Sequence, residues 1–242
     1  MLATRLFNKI RETRWRYKLS QSSVRVQGLM HVGNNVRIRN SYIYVGPKGT
    51  LTIADNVMIS DVGIYVYDGK FTIGKKCVIE REKNSSRPEY IVDSGASITI
   101  EDHVRLQCQR MWTRFGGVLK IDKYTNINAH SEIRCDNYVK IGAYCQISYN
   151  TRIWDTNTHS IYSPNVRRQL AEQYYPGLGH ENERPKTRPV SIGDDCWLGE
   201  NVAVLKGTSL EDEVIIGFNT VVSNCKIEKG KTVITKITNK IL

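Results

Sequence analysis

The 242 residues carry 35 Lys and Arg against 24 Asp and Glu, a formal charge of +11, and 40% of them are apolar. That balance excludes wholesale disorder, and the length suffices to bury a core without disulfide staples. No apolar run approaches the ~18 residues of a membrane span. The basic N-terminus (Arg5, Lys9, Arg11, Arg14, Arg16) lacks the apolar stretch of a secretory signal. Six cysteines without a CxxC or HxxxH pair argue against both a disulfide framework and zinc. A reduced, cytoplasmic protein without a metal is expected.

Residues 2–19 read as a short helix, with Leu2, Leu6, Ile10 and Tyr17 on one face among Arg and Lys. A basic helix of this kind suits peripheral contact with a membrane surface. The narrowness of its apolar face favours the other reading, a helical cap over 1–23 that closes an open core.

From residue 32 a seven-residue phrase recurs: VGNNVRI (32–38), IADNVMI (53–59), IGKKCVI (73–79), IEDHVRL (100–106), IDKYTNI (121–127), IGAYCQI (141–147), IGDDCWL (192–198) and LEDEVII (210–216). An aliphatic residue opens and closes each phrase, and a small or β-branched residue stands at position five. Successive starts are 21, 20, 27, 21, 20, 51 and 18 residues apart, mostly close to three hexads. Ile192, Leu198, Val204, Leu210, Ile216 and Val222 keep a six-residue period without error. Neither a helix nor a flat alternating strand has that period. Short strands joined by tight corners do, each coil burying its interior only by stacking on the next. Cys77, Cys145 and Cys196 all occupy position five, where a free thiol serves as a small apolar group.

An insertion is expected at 80–90 (EREKNSSRPEY), and the phrase vanishes over 161–189, which holds four of the six prolines. Flanked by regular coils, 161–189 must be a long loop thrown out of the solenoid, and long loops of this kind are usually functional or disordered. The coils resume at Val190, and the tail 227–242 adds no second domain, so one domain over 1–242 is expected.

At 190–223, VSIGDDCWLGENVAVLKGTSLEDEVIIGFNTVVS, the chain resembles the hexapeptide-repeat acyltransferases, and weaker phrases extend the resemblance back to about residue 32. The resemblance implies an all-β, left-handed parallel β-helix; the handedness comes from it alone. WDTNTHS (154–160) ahead of the long excursion is similar to the sugar and polysaccharide O-acetyltransferase branch. That branch implies acetyl-CoA as acyl donor, a sugar or polysaccharide acceptor, and a homotrimer with active sites between subunits.

Acetyl transfer to a hydroxyl needs a base for its proton and donors for the developing oxyanion. Of five histidines, His31 and His103 fall in or beside early phrases as turn or surface residues, and His180 lies in the excursion. His130 follows a hexad and is the rival base. His159 stands where the excursion leaves regular coil, held by scaffold yet exposed. The resemblance, through its DxxxH passage from Asp155 to His159, points to His159 as the catalytic base. Asp155 either fixes the imidazole or makes an Asx turn.

Trp197 sits at the variable, outward-facing sixth position of its phrase. By resemblance it lines the acyl-donor tunnel, Gly199, Gly217 and Asn219 match positions that hold coenzyme A through backbone groups, and Lys240 matches a lysine near the nucleotide phosphate. The Pro-Ala that precedes that lysine in the family is Thr238-Asn239 here. Tyr42 with Tyr44, and Tyr65 with Tyr67, are paired at strand spacing; they stack on sugar rings or pack beneath the N-terminal helix. The positive charge is spread, suits polyanions, and comes with no nucleic-acid motif. The leading reading is an acetyl-CoA-dependent O-acetyltransferase. The alternatives are N-acetylation of a nucleotide-linked amino sugar, a carbonic-anhydrase-like metal protein, for which no close His pair exists, and a non-catalytic scaffold.

Overall fold

The computed structural model describes residues 17–177 and 183–236. The chain winds through three parallel sheets of ten, nine and nine strands, entering each in strict rotation for about ten turns. Sheet 1 begins with Tyr17–Ser20, sheet 2 with Ser23–Val26 and sheet 3 with Leu29–Val32, and every third strand thereafter returns to the same sheet. The result is the left-handed parallel β-helix.

The phrase explains the register. Its first residue forms the inward ladder of sheet 3, where Ile53, Ile73, Ile100, Ile121, Ile141, Ile192 and Leu210 stack coil on coil. Its seventh residue forms the inward ladder of sheet 1, from Ile38 through Ile59, Ile79, Leu106, Ile127 and Ile147 to Leu198 and Ile216. Every one of these side chains is buried. At ~1.5–3 kcal/mol for each fully buried aliphatic side chain, the two ladders are the main source of cohesion. The position-five thiols of Cys77, Cys145 and Cys196 lie in this core as expected.

The corners have their own chemistry. Position four of all eight phrases takes positive φ: Asn35, Asn56, Lys76, His103, Tyr124, Tyr144, Asp195 and Glu213 lie between 54° and 62°. Where position three is aspartate, its carboxylate reaches back one coil to accept a backbone N–H, as Asp55 does from Asn34 (2.6 Å), Asp194 from Ala143 (2.8 Å) and Asp212 from Asp194 (2.8 Å). Glycine at position two makes room for that carboxylate. A Cβ on Gly193 would stand 2.5 Å from Asp212 Oδ1.

Two expectations need correction. Residues 1–16, and with them most of the expected helix and cap, lie outside the described residues, but Tyr17–Leu19 are strand. They pair in register with Val36–Ile38 and so belong to the first coil, because a neighbouring strand offers a hydrogen-bonding template that a weak amphipathic pattern cannot resist. The excursion, expected as loop, carries helix α1 (Pro164–Tyr174). Proline in its first turn and a run of Arg, Gln, Leu, Ala and Glu supply the propensity. No residue of α1 is buried, so it rides outside the solenoid. The insertion lies as expected, between strands Val78–Glu80 and Glu89–Val92.

Candidate active site

The excursion leaves at the corner between sheets 2 and 3, after strand Arg152–Trp154, and returns to strand Val190–Ile192. Its two ends are zipped together. Asn157 N–H donates to Lys186 O (3.1 Å), Arg188 N–H donates to Asp155 O (2.9 Å), and Thr156 bridges Thr187. Lys206 Nζ donates to Asn157 Oδ1 across the neck. His159 is exposed two residues beyond this neck, on ordered backbone rather than free loop, and it makes further interactions there.

Beneath the neck lies a buried ion pair. Arg114 and Asp136, 9% and 0% exposed, form a two-pronged bond of 2.9 and 2.7 Å. The same guanidinium donates to Thr158 O (3.2 Å), and Thr156 Oγ1 donates to Asp136 Oδ2 (2.7 Å) while accepting Thr158 N–H (3.0 Å). Arg184 donates to Asp136 O (2.6 Å) from the returning limb. The peptide immediately before His159 is therefore pinned by charge-assisted bonds, the strong kind. None of these residues was singled out in the sequence. The one available signal was spacing, since Arg114 and Asp136 stand 22 residues apart, about one coil.

Asp155 is fully buried, and its two carboxylate oxygens accept the N–H groups of Asp136 (2.8 Å), Asn137 (2.7 Å) and Tyr138 (2.7 Å) in the coil below. Burial raises its pKa, opposed by the three amides. This carboxylate ties one coil to the next under the neck, a role neither of the two expected ones described.

Trp197 lies on sheet 1, paired with Gln146 and Ile215, and is 56% exposed as its position-six placement implied. Gly199, Gly217 and Asn219 come together one corner further on, between sheets 1 and 2. Their amides are already used between coils: Gly199 N–H to Ile216 O, Gly217 N–H to Val233 O and Asn219 N–H to Glu200 O. A Cβ on Gly199 would stand 2.8 Å from Phe218 N, so glycine there serves close stacking of coils. Asn219 is a positive-φ corner (56°). Trp197 stands between Gln146 and Ile215 on sheet 1, and Phe218 and Ile234 near the next corner and Val221 beyond it on sheet 2 are also exposed. Lys240 and His180 lie outside the described residues.

In a three-sided coil, the corner between sheets 2 and 3 is opposite sheet 1. Trp197, on sheet 1, and His159, at the corner between sheets 2 and 3, thus lie on opposite sides of one chain, with Gly199, Gly217 and Asn219 at the corner between sheets 1 and 2 and Asp155 buried four residues before His159. His130 occupies another positive-φ corner (61°), between sheets 1 and 2, exposed and away from the neck. His103 stacks on Tyr124 (4.6 Å), which stacks on Tyr144 (5.1 Å), along the corner between sheets 3 and 1. Among the described residues no cluster of three His, Cys, Asp or Glu is arranged to hold a metal ion, and no helix is long and apolar enough to cross a membrane.

Repeat and coil together define a hexapeptide-repeat protein with the left-handed β-helix fold. Within that class the chain resembles the acyltransferases, and among them the sugar and polysaccharide O-acetyltransferases. The family model described as "Hexapeptide repeat of succinyl-transferase" matches residues 189–224. The protein named "Putative lipopolysaccharide biosynthesis O-acetyl transferase WbbJ", from Escherichia coli (strain K12), is 29% identical over 169 residues, covering 69% of this chain and 79% of that protein. Two solved structures are more distantly similar. The polySia-specific acetyltransferase NeuO has 13% identity and a TM-score of 0.47, over 91% of this chain and 83% of its own. The polysialic acid O-acetyltransferase OatWY has 16% identity and a TM-score of 0.42, over 93% of both chains.

Proposed function

We propose that this protein is an acetyl-CoA-dependent O-acetyltransferase acting on a sugar or polysaccharide acceptor, with His159 as general base. The observation that carries the proposal is the placement of His159: an exposed imidazole on a pinned peptide, at the point where the long excursion leaves the coil. The name of the E. coli relative supports the reaction and the acceptor class.

A sugar hydroxyl is a poor nucleophile until its proton is accepted, and an imidazole titrates near working pH. The Arg114–Asp136–Thr158 network holds His159 in place for that step, which favours reaction by removing reorganisation. The thioester supplies an activated acetyl group when bound. Trp197, with Ile215, Phe218, Val221 and Ile234, offers an exposed apolar surface that fits the aliphatic arm of such a carrier. Because the engaged amides of Gly199, Gly217 and Asn219 have no free N–H to offer, their part is to shape that surface.

His159 and Trp197 stand on opposite sides of one chain, so the working site is formed between two copies, as a homotrimer provides. Free cysteines throughout fit a reducing, cytoplasmic setting. The test is transfer of labelled acetyl from acetyl-CoA to a panel of sugars and polysaccharides. Incorporation that survives base-free workup as an ester supports O-acetylation. Label appearing only on amino sugars would favour N-acetylation, and no transfer to any acceptor would leave a scaffold.

A further inference from the structure

On the outward face of sheet 2 one column of side chains runs up the solenoid in register: Arg25, Tyr44, Tyr65, Ile91, Trp112, Arg134 and Trp154. We propose that this column is an extended binding track for a neutral pyranose polymer, delivering the acceptor chain to the His159 corner. The inference rests on the acetyl-transfer reading only for the identity of the polymer as acceptor.

The rings are arranged as a platform. Tyr65 lies 5.4 Å from Tyr42 and 6.4 Å from Tyr67, and Tyr67 lies 5.7 Å from Tyr44. A Cβ on Gly63 would stand 2.8 Å from the Tyr65 ring, so glycine there lets the ring lie down on the sheet. Further up, Trp112 is fixed by its Nε1–H to Asp93 (2.9 Å), and the Arg134 guanidinium sits between Trp112 and Trp154, at 6.0 and 5.1 Å from their centres. The Arg114 guanidinium lies 4.7 Å from the centre of the Trp112 ring and is the same group that holds Thr158 O beside His159. The track therefore runs without a break into the candidate site. At its upper end Trp154 Nε1 is a buried donor with no hydrogen-bond partner among the described residues.

Charge decides the class of occupant. The neighbouring column is a ladder of paired charges, Glu89, Arg110, Glu132 and Arg152. Arg134 is paired with Glu132 (2.9 Å) and Arg114 with Asp136. With every guanidinium but that of Arg25 paired with a carboxylate, the face carries little net charge and offers a densely anionic chain no run of unpaired cations. Interfaces between copies are depleted of charge at their cores, which suits the apolar Trp197 surface and not this face. Flat rings with hydroxyls and amphipathic guanidiniums at each rung match the alternating apolar and polar faces of linked sugars. From Tyr44 to Trp154 the track spans five coil steps, about 24 Å, enough for roughly five rings of an extended glycan.

The test is binding without acetyl-CoA: native gels cast with neutral polysaccharides (β-glucan, galactomannan, dextran) or with polysialic acid and alginate, and tryptophan fluorescence titrated with oligosaccharides of a retarding neutral polymer. Retardation by at least one neutral polymer is expected, with affinity rising with chain length up to about five rings. The double variant Tyr44→Ala/Tyr65→Ala should bind it roughly tenfold more weakly, as should Trp112→Ala, each with wild-type circular dichroism. Retardation by no neutral polymer, stronger retardation by the anionic ones, or a tyrosine variant that alters the oligomeric mass would each overturn the track. Polymer binding without acetyl transfer would support the track and sink the enzyme reading, whereas transfer to sugars without polymer binding would do the reverse.

Discussion

Replacing Asp155 by alanine separates a structural from a chemical role at the neck. The carboxylate accepts three backbone N–H groups at 2.7–2.8 Å from a fully buried position. Hydrogen bonds to a charged acceptor contribute about 1.5–3 kcal/mol each. The amides of Asn137 and Tyr138 belong to half-buried residues, where water recovers part of the loss, so about 1 kcal/mol apiece is the appropriate figure. With about 2 kcal/mol for the bond to the buried Asp136 amide the total is about 4 kcal/mol, which for a chain of this size lowers Tm by roughly 8–16 °C. Asp155→Asn keeps one accepting oxygen and should fall between. The assay is thermal unfolding followed by circular dichroism, with turnover measured well below the variant's Tm. Turnover per folded molecule should drop only as far as the neck loosens, less than for loss of His159. A Tm within 2 °C of wild type together with abolished turnover would refute the anchoring role and return Asp155 to the chemistry.

Other outcomes follow from the same geometry. His159→Ala should lower turnover by roughly 10²–10⁴-fold with little change in Tm, while Trp197→Ala should raise the acetyl-CoA KM more than it lowers kcat; steady-state kinetics on both separates the roles, and an unimpaired His159→Ala beside a dead His130→Ala would move the base. Excising α1 by closing the excursion between Ser163 and Glu183 should leave Tm within about 2 °C, because surface changes cost little. Tyr162 OH already bonds Glu183 (3.3 Å), so the ends are near; impaired use of acceptor at normal acetyl-CoA KM is the kinetic expectation. Five cysteines are buried and one, Cys225, is partly exposed; burial pushes the Cys77 thiol up to about 11 and Cys108 up to about 12. A colorimetric thiol titration at pH 8 should therefore count one thiol in the native protein and six in denaturant, and rapid native reaction of several would contradict the packed core.

The inward ladders were legible because a six-residue aliphatic period has one structural solution, and Ile192 through Val222 spell it out. The corners were not. Asn35 and Asn56 are ordinary left-handed residues, but His103, Tyr124, Tyr144 and Glu213 take the same positive φ, held there by the coils above and below rather than by local preference. The first coil was hidden because Tyr17–Val26 contains no phrase and pairs only through its neighbour. His159 was singled out because it ends a regular stretch. Its support was not, since Arg114, Asp136 and Thr158 are remote in sequence and meet only when coil lengths are fixed. The same counting shows that Trp197 opens a coil on sheet 1 while His159 closes the second side of the coil before it, which keeps them apart in one chain.

The composite site is tested most directly by mixing two crippled proteins. His159→Ala and Trp197→Ala chains would be co-unfolded, refolded together in equal amounts and assayed at an acetyl-CoA concentration below its KM. If each site takes His159 from one copy and the Trp197 surface from the next, random assembly gives about a quarter of the sites both intact groups, whatever the ring direction. Activity should rise well above the mean of the two separate variants, toward about one quarter of wild type. A mixture whose activity equals that mean would show that each chain carries its whole site, and the opposition of His159 and Trp197 across the solenoid would then have no catalytic meaning.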